Sequence, residues 1–340
     1  MSLSSCGLAV LAAVTRTLGS PKMETKTIVL PDGRNLAYAV LGDVGDDKPT
    51  VFHLHGFPGS HHEAAIYAPA AARHGIRLVG ISRPGMGGST FQPERRILDW
   101  PADVRALADH LRTQGPFGVL GISGGGPYAW ACWRSGAGGD PDAALPRSML
   151  AACAVVGGLG PPSFGFGGLP ASSRAIFWLS QWSTGLVGAG LDYAMGKAAR
   201  GRPEQLAASI GDMYLSGSRG EADKAVWARE EFAYSRRALL DSLAAAMSEP
   251  GAPGPAWEAK VLGAPWGFGL DELGAAGEGR VVVWHGGQDL NVPVDMARRS
   301  AALVQGAECK IWDSEAHASM IVRSADHVME ALALALTTAS

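Results

Sequence analysis

The stretch Phe117-Gly118-Val119-Leu120-Gly121-Ile122-Ser123-Gly124-Gly125-Gly126-Pro127-Tyr128 decides the fold. Its apolar opening reads as a short buried strand, its middle as Gly-x-Ser-x-Gly, and the Ala- and Trp-bearing segment after it as a helix. Strand, sharp turn and helix in that order make a nucleophile elbow. The serine of such an elbow sits in a strained backbone conformation at the strand end, and its neighbours must be nearly free of side chain for the turn to close. Gly121, Gly124 and Gly125 meet that need, so Ser123 is the candidate nucleophile. With 46 glycines among 340 residues the pentapeptide alone carries little weight. Its weight comes from residues elsewhere in the chain.

Upstream of the elbow, Lys26 to Leu30 and Asn35 to Leu41 are alternating β-rich runs separated by Pro31-Asp32-Gly33-Arg34, which predicts an antiparallel hairpin. Thr50 to His55 and Arg77 to Ser82 read as buried strands, with helical spacing from about His62 to Arg73 between them. Asp99 reads as an N-cap, with Pro101 in the first turn of a helix reaching about Thr113. Downstream, Ser148 to Val156, Arg280 to Trp284 and Glu308 to Trp312 are strand-like, and Val294 to Val304 and Ser319 to Thr337 are helical. Short buried strands alternating with helices predict an α/β fold whose mostly parallel sheet is covered on both faces.

Between Gly160 and Gly269 the alternation stops. That segment shows helical stretches, no buried strand and many aromatics. It reads as a helical cap over the C-terminal edge of the sheet, giving three parts: 1–22 an N-terminal extension or helix, 23–158 with 270–340 the α/β core, and 159–269 the cap. Most of its aromatics would form the cap's own core. Some would line a substrate cavity, since ligand sites are mainly apolar, and Trp178, Trp182, Tyr214 and Trp266 are candidates.

A net charge of -3 with both signs interspersed gives no electrostatic footprint for nucleic acid or an anionic membrane, so the expected partner is a small molecule. Cys6, Cys132, Cys153 and Cys309 lack metal-ligand spacing and read as buried thiols of a reducing compartment; no metal or other cofactor is expected. The apolar run from Cys6 to Val14 resembles a signal-peptide core but has no Lys or Arg before it, and it is too short to span a bilayer. The expectation is a cytoplasmic protein, with secretion or organelle targeting left open by that run, and Met23 is an alternative start.

A serine hydroxyl needs a base to remove its proton, and the base needs an acid to hold its tautomer. In a parallel sheet the strand C-termini share one edge, so the partners should follow strands, in the order serine, acid, histidine. After Trp284 comes His285-Gly286-Gly287-Gln288-Asp289, and after Trp312 comes Asp313-Ser314-Glu315-Ala316-His317. Asp289 and His317 are therefore the candidate acid and base. Asp313 and Glu315 are weighed as helix caps, Asp295 as a first-turn helix residue, and His285 as a structural residue or rival base. For the developing oxyanion the backbone N–H of Gly124 is one candidate donor, and Phe57, in His55-Gly56-Phe57-Pro58-Gly59, supplies the second.

Those motifs, with Arg83-Pro84-Gly85-Met86-Gly87-Gly88-Ser89 and Pro265-Trp266-Gly267-Phe268, resemble the α/β-hydrolase superfamily, specifically its capped fold-1 group, over nearly all of residues 24 to 338. The resemblance implies an eight-stranded sheet flanked by helices, with Ser123 as nucleophile, His317 as base, Asp289 as acid, and Phe57 and Gly124 as oxyanion donors. Glu315-Ala316-His317 departs from the family, which commonly has Gly before the histidine. A serine at the elbow separates the chain from dehalogenase and epoxide-hydrolase relatives, which the resemblance says carry aspartate there. The expected activity is hydrolysis of an ester, lactone or thioester of a mainly apolar small molecule. The alternatives are a non-hydrolytic enzyme on the same triad (lyase, acyltransferase, cyclase or C–C cleaving enzyme) and a ligand-binding protein with a vestigial triad.

Overall fold

In the computed structural model, residues 23–137, 144–215, 220–277 and 279–338 are described. Pro31 to Arg34 close a hairpin between β1 (Lys26–Val29) and β2 (Asn35–Gly42), paired antiparallel from Lys26 opposite Tyr38 to Val29 opposite Asn35. The remaining strands are β3 (Thr50–Leu54), β4 (Arg77–Ile81), β5 (Phe117–Ile122), β6 (Leu150–Val156), β7 (Val281–Gly286) and β8 (Glu308–Trp312). They form one eight-stranded sheet in the order β1-β2-β4-β3-β5-β6-β7-β8. β2 pairs antiparallel with both neighbours and every other pairing is parallel.

β3 to β7 are buried along their whole lengths, as strands covered on both faces must be. Alternate residues feed opposite cores. Phe52, Val119, Val155 and Val283 belong to one hydrophobic cluster, and Val51, Leu120, Ala154 and Val282 to the other. β8, at the sheet edge, is only half-buried, and this corrects the expectation for Cys309: its thiol lies on the exposed side. Cys132 and Cys153 are buried free thiols, whereas Cys6 and the whole 1–22 segment lie outside the described residues.

The core helices are α1 (Ala68–Arg73), α2 (Trp100–His110) and α3 (Gly126–Ala137). The helix expected from His62 is a 3-10 turn, His61–Ile66, followed by α1, because Pro69 cannot donate within a continuous helix. Asp99 caps earlier than expected: its carboxylate accepts the Arg96 N–H and starts a 3-10 turn before α2.

Between β6 and β7 the described residues contain helices and no strand: α4 (Ala171–Trp182), α5 (Thr184–Leu191), α6 (Lys197–Gly201), α7 (Pro203–Leu215), α8 (Glu221–Ala228), α9 (Ala233–Ala246) and α10 (Pro253–Gly263). Ser183 caps α5 by accepting the Leu186 N–H. The sheet then resumes, with α11 (Val294–Leu303) between β7 and β8, and α12 (His317–Arg323) and α13 (Ala325–Thr337) after it. The expected closing helix is thus two helices interrupted at Ser324, and the first begins two residues earlier than the periodicity suggests. No helix among the described residues is long and apolar enough to cross a membrane.

Candidate active site

Ser123 follows the last residue of β5 with φ at 49°, in the left-handed region that a non-glycine residue enters only where the surroundings hold it there. The surroundings are tight. A Cβ on Gly121 would lie 2.7 Å from the Gly125 carbonyl oxygen and 2.8 Å from the Ala129 Cβ, and one on Gly125 would overlap the Leu54 carbonyl. The elbow closes because these positions carry no side chain.

The loops after β7 and β8 bring the other residues to the same sheet edge. His317 Nε2 is 3.1 Å from Ser123 Oγ, and its Nδ1 is 2.6 Å from Asp289 Oδ2. With Nδ1–H donated to the carboxylate, the Nε2 lone pair faces the serine hydroxyl. Asp289 Oδ1 accepts the backbone N–H groups of Asn291 (2.7 Å) and Val292 (2.8 Å). Burial pushes the Asp289 carboxyl up, but the charge of His317 and hydrogen bonds from His285 and His317 outweigh it and hold the group below the usual carboxylate range. His285 is thus more than packing: its Nε2 donates to the Val292 carbonyl at 2.9 Å and lies 3.2 Å from Asp289 Oδ2. It reaches the same Asp289 oxygen as His317, but it is His317 whose Nε2 faces Ser123 Oγ.

Two of the other acids weighed are placed beside arginines. Glu315 lies 3.6 Å from Arg323, and Asp295 is an exposed residue 3.9 Å from Arg299. The start of α12 is capped by Ser319, whose hydroxyl accepts the Ala316 N–H, while Ser319's own N–H donates to Asp223 of α8 at 2.9 Å.

Phe57 and Gly124 face each other across the elbow. A Cβ built on Gly124 would be 3.2 Å from the Phe57 nitrogen. Beneath them lies Glu63, which sequence reasoning missed. It is buried, both of its oxygens accept the Gly56 N–H at 3.0 and 3.2 Å, and a Cβ on Gly56 would touch both Glu63 Oε2 and Ser123 Cβ. Burial pushes its carboxyl up to about 7, against the opposing pull of the Gly56 N–H and the charges of Arg83 and His317. In the sequence it is only one acid in a helical stretch.

Ser123, His317 and Glu63 open onto a cavity of about 360 Å³, whose apolar wall includes Phe177, Leu191, Met213 and Leu262 from the helical insertion. Of the four candidate aromatics only Tyr214 lines it, stacked on Trp227 at 4.7 Å. Trp178 and Trp182 are 65% and 77% exposed and turn away from the cavity, because they occupy the outer side of α4 while Ile176 and Phe177 take the inner side. Trp266 is buried against Phe268 instead. Among the described residues no lysine or arginine lines this cavity. Among the described residues no cluster of three or more His, Cys, Asp or Glu could hold a metal ion.

A sheet of this order, with a serine on the elbow after its fifth strand and an acid and a histidine following its seventh and eighth, defines an α/β-hydrolase architecture. A family model described as alpha/beta hydrolase fold matches residues 49–132, within a chain that has the α/β-hydrolase fold. Epoxide hydrolase B from two strains of Mycobacterium tuberculosis is 33% identical over 160 residues, which cover 45% of this chain and 41% of the relative. The chain thus matches about two fifths of the length of these curated relatives. Among solved structures, the esterase EaEST from Exiguobacterium antarcticum superposes with a TM-score of 0.60 at 15% identity, covering 92% of this chain and 100% of that one. A bromoperoxidase from Bacillus anthracis superposes at 0.61 and 16% identity, over 92% and 100% of the two chains. At such identities these structures share the fold.

Proposed function

We propose that the protein is a serine hydrolase cleaving an ester, lactone or thioester of an uncharged, mainly apolar small molecule. The observation that carries this reading is the relay from Asp289 through His317 to Ser123, with gaps of 2.6 and 3.1 Å, at the wall of an apolar cavity. As Ser123 Oγ attacks the acyl carbon, His317 Nε2 takes the hydroxyl proton, and Asp289 stabilises the imidazolium. The negative charge on the former carbonyl oxygen is met by the N–H groups of Phe57 and Gly124; loss of one such donor costs roughly 3 kcal/mol of transition-state stabilisation. His317 then gives its proton to the departing alkoxide or thiolate. Water attacks the acyl-enzyme with His317 as base, the Ser123–acyl bond breaks, and the carboxylic acid leaves.

The helical insertion over residues 159–269 acts in this reading as a cap that shapes the pocket, with 23–158 and 270–340 as the catalytic core. Among the described residues the cavity wall carries no Lys or Arg, which supports an uncharged substrate, since a carboxylate or phosphate would meet no counter-charge from them. The likeness to proteins named epoxide hydrolase B supports a second reading, hydrolytic opening of an epoxide. Against it stands the serine at position 123, where the resemblance implies an aspartate in those relatives.

The test is hydrolysis of p-nitrophenyl esters and aryl lactones in ¹⁸O water by the parent protein and by Ser123→Ala. The reading expects one solvent oxygen in the acid product and no turnover by the variant. Turnover that survives Ser123→Ala, or an acid product without solvent oxygen, would contradict it.

A further inference from the structure

The Arg83–Glu258 pair is fully buried and takes no part in the steps above, yet it joins the helical insertion to the backbone of the oxyanion loop. Arg83 lies just after β4, and every donor on its guanidinium group that faces the loop is used. Nη1 donates to the His55 carbonyl at 2.6 Å, Nη2 to the Gly56 carbonyl at 2.9 Å, and Nε to Glu258 Oε1 of α10 at 2.7 Å. The Arg83 backbone N–H donates to His55 Nε2 at 3.1 Å, which leaves His55 Nδ1–H to donate to the Gly56 carbonyl at 2.8 Å. The other carboxylate oxygen of Glu258 is held by Arg95 and, at 2.8 Å, by the Tyr128 hydroxyl.

The Gly56 carbonyl belongs to the same peptide unit as the Phe57 N–H. A peptide plane is rigid, so two donors on its oxygen fix where its N–H points. A cationic donor on that oxygen also polarises the unit and strengthens the N–H as a donor. The preceding peptide is fixed as well, through the Gly56 N–H held by Glu63. A second tie from the insertion lies further along the loop, where the Ser60 N–H donates to Ser242 Oγ of α9 at 2.8 Å.

We propose that Arg83, held in place by Glu258 of the helical insertion, is a positioning residue for the oxyanion hole: it aims and polarises the Phe57 N–H and so makes transition-state stabilisation depend on the seating of α10. The inference rests on the serine-hydrolase reading. It adds that the insertion supports the chemical step in addition to enclosing the substrate.

The experiment compares the parent with Arg83→Lys, which keeps a charge but cannot reach three acceptors at once, and with Glu258→Gln, which keeps side-chain volume and one acceptor. Asp103→Asn, at the part-buried pair between Arg34 of the β1–β2 turn and Asp103 of α2, serves as the control for loss of stability alone. Three quantities are read: kcat and KM on a p-nitrophenyl ester, the affinity for an aliphatic trifluoromethyl ketone, and the affinity for the matching amide. The ketone accepts Ser123 Oγ at its carbonyl carbon and places an oxyanion in the hole, whereas the amide binds without adding.

For Arg83→Lys and Glu258→Gln the expected result is kcat tenfold or more lower with KM within twofold. The ketone affinity falls in parallel and the amide affinity is unchanged. Asp103→Asn should lower the unfolding midpoint and move none of these ratios. Glu258→Gln is the milder change and carries the test if Arg83→Lys does not fold. Folded variants with parental kcat and ketone affinity, or equal losses for ketone and amide, would overturn the proposal. If instead the parent forms no adduct with the ketone and Ser123→Ala retains turnover, it is the serine-hydrolase reading that fails.

Discussion

His317 Nε2 stands 3.1 Å from Ser123 Oγ although 194 residues separate the two along the chain. The Asp289 carboxylate holds the far side of the ring at 2.6 Å. If this relay runs the reaction, Asp289→Asn should keep the fold and lower kcat by about four orders of magnitude, because an amide at that position favours the wrong imidazole tautomer. His317→Ala should lower it at least as far. The two losses should not add in the double variant, since the residues act as a unit. Steady-state kinetics on one ester substrate checks all three.

Glu63 predicts a pH dependence of stability. Its folded value is raised from 4.5 to about 7 by burial, so the native state binds a proton that the unfolded chain has already released in that window. Its contribution to stability is therefore present below about 4.5 and lost as pH rises toward about 7, a difference on the order of 3 kcal/mol. In Glu63→Gln that loss disappears. Urea unfolding at pH 5 and pH 7.5 should show a larger fall for the parent than for the variant, with equal falls contradicting the assignment.

Gly125 should tolerate no side chain. A Cβ there would overlap the Leu54 carbonyl, which is backbone of a central strand and cannot rotate away. Gly125→Ala is expected to cost more than about 3 kcal/mol in chemical unfolding, at the upper end of single-site effects. Gly33, which has a positive φ but open space around it, should lose only about 1 kcal/mol on the same change.

Acyl-chain selectivity should follow the inner side of α4. Ile176 lines the cavity, so Ile176→Trp removes volume from it. Turnover of an octanoyl ester should fall at least tenfold relative to an acetyl ester, while the outward-facing Trp178→Ala should leave the ratio of the two unchanged. A profile across acyl lengths measures both.

The sheet and the relay were legible in the sequence for a local reason. Buried parallel strands announce themselves as short apolar runs, and the loops that follow them share one edge, so Ser123, Asp289 and His317 could be singled out as residues that would meet there. Glu63, Asp223 and the Arg83–Glu258 pair could not. Their meaning lies in partners from 7 to 175 positions away, and no spacing rule links them. The cavity aromatics failed for a third reason. Phe177 and Trp178 are adjacent in sequence but lie on opposite sides of α4, and composition does not fix the rotation of a helix whose two faces are both apolar. Helix boundaries shifted where a single residue, Pro69 or Ser324, interrupted a period that otherwise read as continuous.

The central claim is that Ser123 becomes covalently acylated, and labelling with a fluorophosphonate followed by intact-mass spectrometry and peptide mapping tests it most directly. The account predicts a single adduct on the peptide carrying Ser123, none in Ser123→Ala, and much slower labelling in His317→Ala. An unlabelled parent protein, or an adduct that persists in Ser123→Ala, would contradict it.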